Sequence, residues 1–581
     1  MRHSPRRSTR LWTLVAAIVL TLEVSSMCEA GEPTRRLFLD DYHIQSMTGL
    51  SRVYHQPVKD PAPVIVPDKL WETTGWVRPV GWYPYASHAQ VWSPPAWNPE
   101  LSKWQLWYQG GKEGLPLYAE STDGVNWVKP NLGLVTWGGN KNNNIMLLPA
   151  SPYTQANAPH HRIVAIRDSF ETNPNRRYKG LVLVAKGLDP VGGIPTDGGL
   201  IRLISPDGKT WTREGKDVIT SGDEYRLGQD PVTGQFWATV KLHPSQAGAT
   251  MPADYATGAG RIAWLRTSSD FVTWTAPKLA AYGSKSDQTQ AAAQIAAYKA
   301  NPAIRKLLYD QPTTLKSKAY TADVYHFPMF RYHDMFLGLP TRLLQTGMIW
   351  GVGKTAPNNQ DGWQFPYLVS SRDLAAWNKH TGNPFCDLSP LSDTQKTDHG
   401  MIQMLSPIIL GDQLVFYYTG YRFPHHMWWS LDPTWDKDKI QGLDYNYAAA
   451  GLTPAECEKE PSIAIHLARL RLDGFASLRA GATAGEVVTK SLPVNGTSLF
   501  VNANAKTGTL KAELLDPATD TVIPGYTLAK SVAVKADSVR TKLQWQGVTD
   551  LSGLAGKSVK IRFSVQNADL YSFWFDNLNN D

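Results

Sequence analysis

Residues 205–211 read Ser-Pro-Asp-Gly-Lys-Thr-Trp, and the same S-x-D-x-x-x-W spacing returns at 121–127, 268–274 and 371–377. Ser and Asp oxygens accept backbone N–H groups in a tight turn, and a Trp four residues after the Asp packs between neighbouring sheets. The copies start 84, 63 and 103 residues apart. That is too long for a helical solenoid and suits a large sheet with variable loops. Asp473-Gly474-Phe475 reads as a degraded fifth copy.

Each copy follows a short aromatic or apolar strand: Trp104 to Tyr108, Tyr178 to Val184, Phe236 to Lys241, Met335 to Leu339, and Leu414 to Tyr418 before the fifth. Before each of these lies another extended run, at Ala86 to Trp92, Arg162 to Asp168, Asp223 to Gly228, Asp323 to Phe327 and Asp398 to Met404. Five sequential antiparallel sheets make an all-β chain whose residues 31–475 form a five-bladed β-propeller. The strand Arg36 to Ile44 has no sheet of its own and is expected to close the ring on the fifth blade, removing two exposed edges. The Ala-rich stretch Asp287 to Leu308 reads as a helical insertion (about 283–310) placed to cover one mouth of the ring. From Ala476 the pattern changes to short alternating strands, clearest in Val559-Lys-Ile-Arg-Phe-Ser-Val565, and 476–581 is read as a β-sandwich. A carbohydrate-binding module is its alternative, with Trp545 and the Tyr571 to Phe575 cluster as the only aromatic platforms.

The composition agrees. Sixty-two aromatic residues and only 19% charged residues in 581 exclude a disordered or charge-laced helical chain, and 46 Gly with 40 Pro fit strands joined by turns. A net charge of +7 with no Lys/Arg-rich run beyond the N-terminus argues against a nucleic-acid partner. Arg2, Arg6, Arg7 and Arg10, then the apolar stretch Leu11 to Leu22 and Cys28-Glu29-Ala30, have the layout of a signal peptide over 1–30, so a secreted or periplasmic chain free of the membrane is expected. An uncleaved N-terminal anchor is the alternative. The mature chain keeps Cys386 and Cys457, as a pair or as two buried thiols.

In such a ring the first strand of every blade lines the axis, and their starting ends open on one face. The residues brought there are Ser87 and His88, His160 and His161, Asp223 and Glu224, Asp323, and Asp398 with His399. Crowded carboxylates repel, which raises one pKa and leaves another group ionised, the split that acid and base roles require. Glu72 stands beside Trp71 with Trp76 close by, a setting for a desolvated proton donor next to sugar-stacking rings. Asp40 and Asp41 lie within the expected closing strand and are read as part of that closure, with the same pocket as their alternative, and His425-His426 on a loop suit substrate hydroxyls. No H-E-x-x-H, paired C-x-x-C or G-x-S-x-G is present. Gly353-Lys354-Thr355 lacks the first Gly of a phosphate-binding loop.

The five-blade order, the S-x-D-x-x-x-W turns, the internal carboxylates and the join Leu-Arg-Leu-Asp-Gly-Phe at 470–475 resemble the five-bladed propeller glycoside hydrolases of families 32, 43, 68 and 117. The resemblance covers nearly all of the mature chain. It implies a hydrolase of polysaccharides or oligosaccharides with acid/base residues drawn from Glu72, Asp223, Asp323 and Asp398. Within that set Asp323 is expected as base or nucleophile, Glu72 or Asp223 as proton donor, and Asp398 as a neighbour that tunes or orients. Substrate contacts are expected from Trp71, Trp76, His88, His399 and His425. No metal or cofactor is required, although a structural calcium ion in the tunnel is compatible with the ring of acids. The fructosidase motif W-M-N-D-P-N-G is absent and R-D-P survives only as Arg167-Asp168-Ser169, so fructan is not the implied substrate. Two other classes stay open: a non-catalytic glycan-binding propeller, and a polysaccharide lyase needing a base and a cation beside a uronic acid.

Overall fold

A computed structural model describes residues 34–73, 88–111, 114–149, 162–184, 199–256, 260–301, 322–350, 357–390, 392–422, 425 and 463–577. Five antiparallel sheets follow one another along the chain. The first joins Ala89–Val91 and Ala96–Asn98, split by Pro94 and Pro95, to Lys103–Gly110 and Leu115–Ser121. The second runs Val164–Arg167, Tyr178–Val184, Gly199–Ser205, Thr212–Ile219, and the third Tyr225–Gln229, Phe236–Lys241, Ala263–Ser268, Lys278–Ala281. Breaks at Pro328 and Pro340 divide the fourth into two stacked pieces, because proline cannot donate to the ladder. Its inner edge is Ala322–His326 with Met329–Tyr332. The fifth consists of Met401–Met404 and Ile408–Leu410, Gln413–Tyr421 and Ile463–Arg471.

The inner strands close into a ring. Neighbouring sheets touch in cyclic order, and the fifth reaches the first where Ile463 pairs with His88. The far ends of all five inner strands surround one cavity of about 440 Å³, to which Pro95, Ile166, Leu227, Phe330 and Ile408 each contribute from a different sheet. Arg167 lies at this mouth, opposite the starting ends of the strands.

All four S-x-D-x-x-x-W copies form the same turn. In each, the Ser hydroxyl donates to the Asp and accepts from the backbone, while one Asp oxygen accepts the N–H groups two and three residues on. The residue after the Asp takes a left-handed conformation. It is Gly in two copies, at φ 71° and 74°, but Phe271 at 65° and Leu374 at 62° in the others. The turns also stitch blades together: Trp107 of the first sheet donates to Gly208 O of the second at 2.7 Å, and Tyr417 of the fifth donates to Gly124 O of the first.

Two expectations are corrected. The strand Arg36 to Ile44 does not close the ring. Arg36–Leu37 pairs with Ala568–Asp576, and Ile44–Thr48 with Gly485–Thr489, both in the C-terminal sandwich, which Ser51–Tyr54 also joins through Ala476–Ala480. Closure falls to Val58–Lys59 on Ile463–Arg471. Phe38 and Ile44 find their apolar partners in the sandwich core, which explains the choice. Asp473 is no fifth turn. It is a buried junction that accepts from Arg35, Tyr332 OH, Ser572 Oγ and Asn502 Nδ2 at 3.0, 2.7, 2.6 and 3.2 Å. The helix spans Lys285–Ala300, capped by Ser284, and packs on the fourth sheet, with Tyr298 stacked on Phe365 and bonded to Asp387.

The sandwich strands alternate as their sequence requires: Val559, Ile561, Phe563 and Val565 all point into the core. Trp545 is buried there too, and Trp574 is buried on the opposite face of its strand against Phe500 and Arg35, so neither offers a platform to a glycan. Cys386 is a buried free thiol, pushed up to about 12 by desolvation. Cys457, the expected signal segment and the 353–355 loop lie outside the described residues. Among the described residues no helix is long and apolar enough to cross a membrane.

Candidate active site

At the starting ends of the inner strands, charged groups converge from several sheets. Glu224 immediately precedes the third sheet's inner strand and is almost wholly buried. Its carboxylate faces Arg162 at 4.0 Å, Arg226 at 3.7 Å and His326 at 3.9 Å. These separations are beyond hydrogen-bond reach. Oε2 has no hydrogen-bond partner among the described residues. Desolvation, only partly offset by Arg226 and reinforced by Asp223, raises Glu224 to about 7. Trp92 of the first sheet carries Arg162 and Arg226 on its ring, each 4.9 Å from the centroid.

Asp223, one residue earlier, has the opposite character. Its side chain is 55% exposed and paired with Lys241. Desolvation opposes ionisation there, but Lys241, with Arg162 and Arg261 behind it, holds the group down to about 2. Two adjacent carboxyls at one mouth are thus pushed apart by their surroundings.

Asp323 enters from the fourth sheet, fully buried, and accepts from Arg261 Nη1 at 2.8 Å. Burial raises its pKa against the pull of Arg261 and Lys241. Next to it Tyr325 bonds His425 Nε2 at 2.9 Å, and both Lys241 and Arg261 sit over the Tyr325 ring. His326 donates to or accepts from Thr341 Oγ1 and is driven well below the usual imidazole range by burial, then by Arg226 and Lys241, so it is neutral. From the fifth sheet Tyr421 and Gln403 link to Gln90 of the first, and Gln403 donates to Gln364 of the fourth at 2.9 Å. Exposure falls along the axis, from 19%, 20% and 15% at Arg162, Lys241 and Arg261 to 5%, 3% and 0% at Arg226, Glu224 and His326. The cluster is a set of charged side chains, partly exposed at Arg162, Lys241 and Arg261 and buried at Arg226, Glu224 and His326, around a cavity of only about 10 Å³ beside Glu224.

The structure brings Asp223, Asp323 and His425 into this cluster. His88 stands two residues before Gln90 at the start of the same inner strand. Asp398 and Glu72 are elsewhere. Asp398 is buried against Lys59 of the ring-closing strand and accepts from Tyr418 OH at 3.1 Å. Burial opposes its ionisation, and Lys59 and His466 prevail, holding it below the usual carboxylate value. It anchors the closure. Glu72 is also fully buried, neither exposed nor poised as a donor. It accepts from Tyr108 OH, Lys129 and the backbone of Asp68 and Lys69, at 2.6, 2.7, 2.9 and 3.0 Å. Trp71 bonds Asn144 and packs edge-on to Trp137 on the first blade, clear of the pocket. His399 is buried against Ser389 O. Asp40 and Asp41 bind Arg372 and Arg52. Trp76, Ser87, His160, His161 and His426 lie outside the described residues.

Sequence reasoning did not single out Arg162, Arg226, His326, Trp92 or Tyr325, and it took Asp223 into the acid/base set in place of its neighbour Glu224. One signal was available: Glu224 and Arg226 are separated by two on a strand read as lining the axis, so both face one side. Among the described residues no three acidic, His or Cys side chains group as metal ligands. The two guanidiniums facing Glu224 are repulsive to a calcium ion, and the site does not fit one.

No protein-family model matches the chain, and no curated protein matches it. Among solved structures it is similar to an endo-arabinase from Bacteroides thetaiotaomicron, at 13% identity over 60% of this chain and 95% of that one, with a TM-score of 0.33. A glycosyl hydrolase from Bacteroides ovatus gives 12%, 67%, 93% and 0.34. A family 43 arabinoxylan arabinofuranohydrolase from Bacillus subtilis in complex with cellotetraose gives 8%, 84%, 96% and 0.29. Likeness at this distance leaves the chemistry to be argued from the pocket.

Proposed function

We propose that the protein is a glycoside hydrolase, secreted or periplasmic, acting on a polysaccharide or oligosaccharide at the axial pocket. The observation that carries this is the opposed shift of two neighbouring carboxyls, Glu224 up to about 7 and Asp223 down to about 2. A group titrating near neutrality can give a proton to a leaving oxygen and recover it, and an ionised carboxylate can activate water or attack. Glu224 is the proton donor, and Asp223 the base or nucleophile. Arg162 and Arg226 stay too far from Glu224 to hold its charge by hydrogen bonds, which keeps the proton available. Asp323, expected as the base, has no exposed surface and is held by Arg261, so its part is to position that guanidinium. Tyr325 and His425 offer hydroxyl and imidazole groups to sugar oxygens. The N-terminal signal pattern supports export.

The test is to incubate the mature protein, Glu224→Gln, Asp223→Asn and Asp323→Asn with plant and algal polysaccharides and to read the products by mass spectrometry. Water added to a new reducing end, lost in the first two variants and only reduced in the third, is the expected result. Full turnover by Glu224→Gln on a confirmed substrate would sink the assignment. Glycan retained without product would favour the binding-module reading.

A further inference from the structure

A cavity of about 750 Å³ lies between the ring and the sandwich, where Asp334 of the fourth sheet meets Arg36, Lys490 and Asp576. The two acids that line it are engaged within the protein. Asp334 Oδ2 accepts from Arg372 Nη1 and bonds His43 Nε2, both at 2.8 Å, and Arg372 in turn lies 3.8 Å from the centroid of the exposed Tyr42 ring. Asp576 accepts from Arg540 Nη2 at 3.1 Å. Arg36 and Lys490 are not so engaged. The half-buried Arg36 guanidinium lies over the rings of Phe573 and Phe575, 5.9 and 6.0 Å from their centroids, and makes no side-chain hydrogen bond or ion pair among the described residues. Lys490 Nζ lies 5.8 Å from the Tyr42 centroid and is likewise without an anion there. Packing over a ring leaves the N–H edge of a guanidinium in need of an acceptor, and a half-buried one without it is costly. Burial holds the Arg36 pKa below its ordinary value even with Asp334 nearby.

We propose that this cavity is a second saccharide site, taking an acidic sugar whose oxyanion is held by Arg36 and Lys490. The planar guanidinium fork matches a carboxylate, as in a uronic acid, and also a sulfate ester. The volume is far more than a bare anion needs and suits a saccharide of a few units. Ser491, Asn495 and Asn577 offer partners to its hydroxyl groups, and Leu492 and Phe575 an apolar surface to its carbon face. Asp334 follows Met329–Tyr332, whose Phe330 lines the far mouth of the ring, so this site lies away from Glu224 at the starting ends. It holds substrate and does not cut it, and its binding does not depend on the hydrolase reading.

Calorimetric titration of the mature full chain with oligogalacturonates, sulfated galactan oligosaccharides, neutral arabino-oligosaccharides of equal length and inorganic sulfate tests this. Expected is binding of one acidic class, weakened by added salt as screened charge requires. Arg36→Gln is expected to lose about tenfold or more in affinity, the worth of a charged hydrogen bond. Lys490→Gln, a change at an exposed residue that leaves the fold in place, is expected to lose about twofold to fivefold. Galacturonate or sulfate-ester binding identifies which oxyanion is used. Acidic saccharide bound equally well by both variants, salt-independent binding, or binding of neutral oligosaccharides alone overturns the proposal. Inorganic sulfate bound as tightly as the saccharides reduces the site to an anion site and overturns it too. So does binding gained only when residues 578–581 are removed, which would give the site to the chain's own terminal carboxylate. Acidic saccharide bound through Arg36 but never cleaved keeps this inference and ends the hydrolase reading. Saccharide cleaved, with binding indifferent to both variants, does the reverse.

Discussion

Glu224 at the mouth of the ring and Asp473 at its junction with the sandwich are both buried carboxylates beside arginine, and they behave in opposite ways. Asp473 is satisfied from four sides by Arg35, Tyr332, Ser572 and Asn502. Burial opposes its ionisation, but Arg35 and His333 overcome this and hold it well below the usual carboxylate range. Glu224 has two guanidiniums and an imidazole within 4.0 Å and bonds to none of them. A carboxylate whose lone pairs are filled fixes architecture. One left short of its donors keeps a proton near neutral pH and can pass it on.

Substitutions should separate the two. Glu224→Gln is expected to cut turnover by about 10²–10⁴-fold, the worth of a positioned general acid, while leaving the urea midpoint unchanged or raised. Asp473→Ala is expected to remove about 3–5 kcal/mol of stability by stranding Arg35 and Tyr332, read by urea unfolding, with turnover per folded molecule intact. Loss of activity without loss of stability there would blur the contrast.

The pH dependence sharpens it. Activity should fall as pH rises through about 7, where Glu224 loses its proton, and this limb should vanish in Glu224→Gln. Stability carries the same sign: the folded state holds the Glu224 proton above the ordinary value of 4.5, so stability declines from there to about 7. Asp473 acts oppositely, its contribution being present above the ordinary value of 3.8 and lost only in stronger acid. A flat activity profile from pH 5 to 9 would remove Glu224 from the mechanism. The smallest effect concerns the turns. Leu374→Gly relieves a left-handed residue at φ 62° but gives up apolar packing, so a change within about 1 kcal/mol is expected in thermal unfolding.

Local patterns were legible wherever the physics is local. Ser205 and Asp207 cap their own turn within a few residues, and the alternation of Val559 to Val565 states which side is buried, so blade order and sandwich could be read along the chain. Glu72 shows where such reading stops. Its neighbours Trp71 and Trp76 suggested a desolvated proton donor beside sugar-stacking rings, but Lys129 and Tyr108, distant in sequence, fold onto it and each donate a hydrogen bond to its carboxylate. Asp398 was likewise drawn away by Lys59, because the ring closes with residues 58–59 and not with 36–44.

The sequence by itself determined an all-β chain, its repeat and its two-part order, since periodicity and turn chemistry are properties of adjacent residues. Only the tertiary structure decided which carboxylate is filled and which is left wanting. Desolvation and charge pairing depend on groups from different sheets, Arg162, Arg226 and His326 for Glu224 and Arg35, Asn502 and Ser572 for Asp473, that meet only when the ring and the sandwich are assembled.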